Sequence, residues 1–151
     1  MTIIEDTRNK LDKHLNVKEY CDRHEIELVR AKLDVGDYQL PGGKIAIDTK
    51  RNLSELATNL LNRSDRSRFW KEVRRAREQG LRLIVLCEHG GRIKAIKDVA
   101  SWHSPYSTVS GRALMEEIYR CHISYGVEFL FCSRRSTGRR IVELLTEEAE
   151  A

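Results

Sequence analysis

Asp37, Asp48 and Lys50 are the residues of this chain whose types and spacing suit chemistry. Asp48 and Lys50 stand two apart in Ile45-Ala46-Ile47-Asp48-Thr49-Lys50. That run reads as a strand, so both side chains fall on one face. Asp37 lies across a Pro41-Gly42-Gly43 turn and can approach the same face. Two carboxylates on rigid strands make a hard, oxygen-rich site that suits Mg²⁺, with Mn²⁺ as a substitute, better than softer metals. A lysine beside them can orient a nucleophilic water or steady the charge that grows on a phosphate. The same residues also suit an edge strand that uses Asp and Lys to stay soluble and to block edge pairing. Spacing alone leaves both readings open.

These residues need elements to position them. The turn between two alternating runs predicts a β-hairpin, with strands entering at 33–38 and leaving over 44–49. Ahead of it, the pattern predicts a strand over 2–5, a loop over 9–16, a helix over 17–23 capped by Asn16, and a strand over 26–33. After it, Asn52 and Glu55 suggest a capping box for a helix striped by Leu53, Leu56, Ala57, Leu60 and Leu61. Ser64 or Asp65 restarts a long helix that stops at Gly80. The apolar runs 81–87 and 127–132 predict buried strands. Helices are expected over 93–102, from 112 to about 122 (capped by Ser110 or Thr108), and over 138–148, with a frayed tail at 147–151. Strands that follow helices favour a mixed sheet with helices on both sides, and the early strands read as an antiparallel meander.

Positive charge is clustered. The helix over 64–79 carries Arg66, Arg68, Lys71, Arg74, Arg75 and Arg77, with Arg63 just before it. At about 100° per residue, Phe69, Val73 and Ala76 share one face. Arg63, Arg66, Arg74 and Arg77 form one flanking stripe, and Arg68, Lys71 and Arg75 form another. Such a surface can neutralise several phosphates. Its alternative is a solvated helix with internal pairs, such as Glu72 with Arg68 or Arg75. A second cluster, Ser-Arg-Arg-Ser-Thr-Gly-Arg-Arg at 133–140, opens a helix and reads equally as an anion site or as a cap among exposed arginines. His89 suits a ligand or a local hydrogen bond. Trp102 and Tyr106 suit base stacking or loop anchoring. No serine has a nucleophile-elbow context and Gly90-Gly91 has no Walker pattern, which excludes serine catalysis and nucleotide hydrolysis of that type.

Composition bounds the class. At 151 residues one domain, 1–151, is expected. Hydrophobic residues at 40% and charged residues at 33% argue for a globular chain and against disorder. A net charge of +4 is too small to name a partner, so local clustering decides it. Cys21, Cys87, Cys121 and Cys132 lack zinc-site spacing and read as buried free thiols in a reducing compartment. With no signal-peptide pattern and no apolar run longer than 83–87, a cytoplasmic protein without a membrane partner is expected.

Several features line up in order: Asp6-Thr7-Arg8 after a strand, Val35-Gly36-Asp37-Tyr38, Ile47-Asp48-Thr49-Lys50, the leucine-striped helix, Arg68 and Glu72 on the basic helix, then the strand 83–87. This resembles the nuclease domain of XPF-type structure-specific endonucleases, a branch of the PD-(D/E)xK nucleases, over about residues 2–145. The resemblance implies a restriction-endonuclease-like α/β fold, a mixed β-sheet flanked by helices on both sides. It implies a Mg²⁺-dependent DNA endonuclease acting on branched or structured DNA in repair or recombination. Asp37 and Asp48 take the metal-binding places, helped by Asp6, and Lys50 takes the place of the motif lysine. DNA contacts are expected from Arg8, Arg51, Arg63, Arg66, Arg68 and Arg75. The sequence departs from the family pattern at Asp48 and Thr49, where Glu and Arg are usual, at Asn9 in place of a glutamate, and at Ser54 in place of an aspartate. A catalytically weak or inactive DNA-binding or assembly module with the same fold is the alternative. The family's helix-hairpin-helix module is not seen here. A homodimer or a partner protein supplying it is expected to help choose the substrate.

Overall fold

The computed structural model describes residues 1–10 and 13–150. Strands β1 (Thr2–Asp6), β2 (Glu27–Ala31), β3 (Tyr38–Gln39), β4 (Ile45–Lys50), β5 (Arg82–Cys87) and β6 (Glu128–Phe131) form one sheet in the order β2-β1-β3-β4-β5-β6. Helices α1 (Leu15–Arg23), α2 (Leu53–Leu61), α3 (Arg63–Glu78), α4 (Gly111–Tyr125) and α5 (Thr137–Glu150) cover it. β4 pairs antiparallel with β3 and parallel with β5, and β5 pairs parallel with β6.

The two faces are built by strand alternation. Ala46, Leu83, Val85 and Phe129 pack with α2, α3 and α4. Ile3, Tyr38, Ile45, Ile47, Ile84 and Leu86 pack with α1 and α5. The result is the three-layer α/β architecture expected, with a mixed sheet and helices on both sides. All six residues of β4 are buried, so the hairpin strand is central. The edge-strand reading of Asp48 and Lys50 therefore fails: neither side chain is there for edge protection.

Several local expectations are corrected. β1 and β2 run parallel, not as part of an antiparallel meander, because the intervening α1 carries the chain back across the sheet. His14, not Asn16, precedes α1, and Asn16 instead donates to the Arg134 carbonyl at 2.7 Å. Asn62 caps α3 through the Ser64 and Asp65 amides, so α2 and α3 are separated by one residue. Over 93–102 only a 3₁₀ turn forms, Ile96–Ser101. β6 is an edge strand and only partly buried. Cys21, Cys87 and Cys121 are buried free thiols, while Cys132 is half-buried. The tail expected to fray is helical as far as Glu150, and Ala151 lies outside the described residues. Among the described residues no helix is long and apolar enough to cross a membrane.

Candidate active site

β4 sends its last three side chains to two faces. Asp48 and Lys50 point with Ala46 towards α2 and α3, and Thr49 points with Ile47 towards α1. Lys50 Nζ lies 3.1 Å from Asp48 Oδ2 and donates to Asn59 Oδ1 of α2 at 2.9 Å. Asp37 stands immediately before β3. A left-handed Gly36 (φ +71°) turns the chain so tightly that Asp37 N–H donates to the Ile47 carbonyl at 2.7 Å. The Asp37 Oδ2 then accepts from the Thr49 amide at 2.9 Å and the Thr49 hydroxyl at 2.7 Å. Asp37 Oδ1 has no hydrogen bond among the described residues. The structure thus places Asp37 near the Asp48–Lys50 pair.

It adds Glu72, which the solvated-helix alternative paired with Arg68 or Arg75. No ion pair joins them. Glu72 reaches inward from α3, and its Oε1 is buried without a hydrogen bond. Burial, then the neighbouring Asp48 charge, pushes the Glu72 carboxyl up to about 8, against the pull of Lys50. Burial likewise pushes Asp48 up to about 6, opposed by Lys50 and reinforced by Asp37. Burial would lower the Lys50 ammonium, but Asp48 beside it outweighs that and raises it, so it stays charged. The centre therefore holds more carboxylate than one lysine offsets. A helical-wheel clue existed: Glu72 adjoins the buried Phe69 and Ala76 side of α3, where an acid is out of place without a partner.

Asp6 is placed differently. Its Oδ2 accepts from Arg8 Nε at 2.8 Å and its Oδ1 from the Leu33 amide at 3.1 Å. Both oxygens are thus engaged, and Asp6 would reach the centre only by giving up these bonds. Asn9 is buried, and its amide nitrogen has no partner.

Behind Thr49 lies a second polar group. The Thr49 hydroxyl donates to a carboxylate, so it must accept from His14 Nε2, 3.1 Å away. Burial pushes the His14 imidazole down to about 4, against the pull of Asp37, so the ring is neutral near pH 7. With its hydrogen on Nε2, its Nδ1 presents a lone pair to Glu88 Oε1 at 3.9 Å. Glu88 Oε2 accepts from the Thr137 hydroxyl at 2.8 Å. Burial raises the Glu88 carboxyl, opposed by the Thr137 bond. Neither His14 Nδ1 nor Glu88 Oε1 has a hydrogen-bond partner among the described residues.

The predicted basic residues divide among three places. Arg8 and Arg51 line a cleft of about 480 Å³ with Asn9, Lys10, Lys13, Glu55 and Arg134. Arg134 comes from the 133–140 cluster. Arg51 Nε also pairs with Glu55 at 3.1 Å. Arg68 and Arg75 lie on the Glu72 side of α3, with Arg75 donating to the Asp34 carbonyl at 3.0 Å. Arg66 lies on the far side and pairs with Glu117 at 3.5 Å. Arg63 is exposed at the start of α3. His89 is a local hydrogen-bond partner, its Nδ1 accepting from the Leu53 amide at 3.0 Å. Trp102 is buried against it, and Tyr106 is exposed at a loop tip.

The donor chemistry of Asp37, Asp48 and Glu72 fits a hard divalent cation, and the orphaned Glu72 oxygen is a group such an ion would satisfy. Their spacing is not that of a formed site. Among the described residues no three His, Cys, Asp or Glu side chains stand close enough to share an ion.

No curated protein matches this chain. Among solved structures it is similar to XPF from Aeropyrum pernix, with 16% identity and a TM-score of 0.72 over 99% of this chain. It is also similar to XPF from Aeropyrum pernix in complex with DNA, with 15% identity and a TM-score of 0.69, again over 99% of this chain. In both cases it spans 65% of the other chain's length. These likenesses support the restriction-endonuclease-like fold. The family model described as the ERCC4 domain matches residues 6–144, nearly the whole chain, and on that match the chain belongs to the ERCC4-domain family of XPF-type nuclease domains.

Proposed function

We propose that this chain is a metal-dependent DNA endonuclease that hydrolyses phosphodiester bonds in branched or structured DNA, of the repair or recombination type. The observation that carries the reading is the Asp48–Lys50 pair at 3.1 Å, with Asp37 and Glu72 near enough for their charges to act on it, beside a basic cleft. The chemistry that Mg²⁺ (or Mn²⁺) would supply there is Lewis-acid polarisation of the scissile phosphate and of the attacking water. Asp37, Asp48 and Glu72 are the residues that would hold it. Thr49 fixes the Asp37 carboxylate through two hydrogen bonds, leaving the other oxygen free. Lys50 Nζ, held by Asp48 and Asn59, is the charged donor for the attacking water or the developing phosphate charge. Arg8, Arg51, Lys10, Lys13 and Arg134 would neutralise backbone phosphates entering the cleft, and Arg68 and Arg75 would flank them. A similar protein has been solved with DNA bound, which supports the choice of polymer. The branched-DNA preference rests on the XPF-type resemblance. A homodimer or a partner supplying helix-hairpin-helix DNA binding belongs to the same proposal, and four free thiols support a reducing, intracellular location.

A second reading, a DNA-binding module that does not cleave, is favoured by the unformed ligand spacing and by Lys50 resting on Asp48. One assay separates them: a panel of branched and linear DNAs with Mg²⁺, Mn²⁺ or chelator. The nuclease reading expects metal-dependent cleavage that Asp48→Ala and Lys50→Ala abolish while DNA binding persists. Binding without cleavage by the wild-type protein in every metal supports the second reading and rejects the first.

A further inference from the structure

A second basic surface lies on the far side of α3. At about 100° per residue, Arg66, Trp70, Arg74 and Arg77 form one stripe, roughly opposite Glu72. With Val73, and with Tyr125 at the end of α4, they line a groove of about 400 Å³. Trp70 and Tyr125 meet edge to face, with ring centroids 4.3 Å apart and planes at 62°. Tyr125 is 41% exposed and Trp70 is half-buried. Of the three guanidinium groups, Arg66 shares Glu117 at 3.5 Å. Among the described residues neither Arg74 nor Arg77 has an ion-pair partner. The groove therefore joins fixed aromatic surface to uncompensated positive charge. A solvated helix face has no need of a half-covered tryptophan, and a core tryptophan is not ringed by arginines.

We propose that this groove binds an unpaired DNA strand, with a base against Trp70 and Tyr125 and its phosphates on Arg74 and Arg77. The proposal rests on the reading of the chain as a protein that acts on DNA, and it adds which kind of strand is held away from the carboxylates. Charge complementarity selects an anion, and the rings select one with planar faces. A duplex keeps its bases stacked inside, so only an unpaired strand uses both features. An acidic peptide would use the arginines and leave the rings idle. A second copy of this chain, with its net charge of +4, would have to bring carboxylates to the groove.

The test is binding in chelator, so that cleavage plays no part. A labelled thymine oligonucleotide and a labelled blunt duplex are titrated by anisotropy, and tryptophan fluorescence is followed with unlabelled strand. The chain has two tryptophans and Trp102 is buried, so Trp70 is the reporter. The single strand should quench the emission saturably, and Trp70→Leu should remove the quenching. Tyr125→Ala should weaken the single strand about five- to hundredfold, with little change for the duplex. Arg74→Gln with Arg77→Gln should reduce the slope of log K against log salt by about 1.4 for the single strand, at about 0.7 per phosphate contact. Far-UV circular dichroism checks that each variant is folded. Equal losses on strand and duplex overturn the proposal. So does an absence of quenching, equal binding of polyglutamate with the same variant sensitivity, or quenching that follows protein concentration without DNA. Failure to cleave any DNA in metal would reject the nuclease reading and leave this result standing.

Discussion

Glu72→Gln tests the centre most directly, because it removes a charge and almost no volume. The Glu72 carboxyl is raised from its ordinary 4.5 to about 8 by burial and then by Asp48. The folded protein thus keeps a proton that the unfolded chain gives up. Its stability is then full below about pH 4.5, falls as the pH rises, and levels off above about 8. From 4.5 to pH 8, at about 1.4 kcal/mol per pH unit, the cost is at most about 4.9 kcal/mol. Water entry and side-chain rearrangement reduce it, leaving about 1–2 kcal/mol. For a chain of this length that is a rise in Tm of about 2–8 °C for Glu72→Gln at pH 8, with no rise at pH 4. Differential scanning calorimetry across that range reads it. In the wild type, Mg²⁺ at pH 8 should raise Tm by favouring the ionised carboxylates, and the rise should be smaller in Glu72→Gln. An equal or lower Tm for the variant at pH 8, or a gain that is the same at pH 4, would refute the electrostatic account.

Thr49→Val keeps the side-chain shape but deletes the hydroxyl between His14 and Asp37, leaving the buried His14 Nε2–H unpaired. It should cost about 1–3 kcal/mol, read as a lower urea midpoint at unchanged slope, and it should lower any cleavage rate because Asp37 keeps only the backbone bond. Gly36→Ala would place a Cβ 2.9 Å from the Ile47 carbonyl oxygen at a backbone φ of +71°, so it should destabilise by about 1–3 kcal/mol and displace Asp37. A denaturation midpoint equal to that of the wild type would show that the Asp37 turn is not strained in this way.

The hairpin was legible because both of its signals are local: turn glycines and a period of two. Asp48 and Lys50 share a face by covalent geometry, whatever surrounds them. The leucine stripe of α2, its Asn52 cap and the stop of α3 at Gly80 were legible for the same reason. Strand partners were not, because β1–β2 pairing joins residues 25 apart in sequence and no local pattern states whether it is parallel. Nor was the depth of β4, since alternation looks similar whether helices cover one face or both.

Sequence by itself determined the order of elements, the shared face of Asp48 and Lys50 and the clustering of arginines, all properties of neighbours along the chain. Tertiary structure decided that Glu72 joins the carboxylates, that Asp6 is engaged by Arg8 and the Leu33 amide, and that His14 and Glu88 stand behind Thr49. It also divided the arginines between the cleft and the Trp70 groove. Those outcomes depend on which helix face meets which end of the sheet, and on the low-dielectric contact that results. Burial then turned an unremarkable glutamate on a basic helix into a strongly perturbed acid, a change that spacing along the chain does not encode.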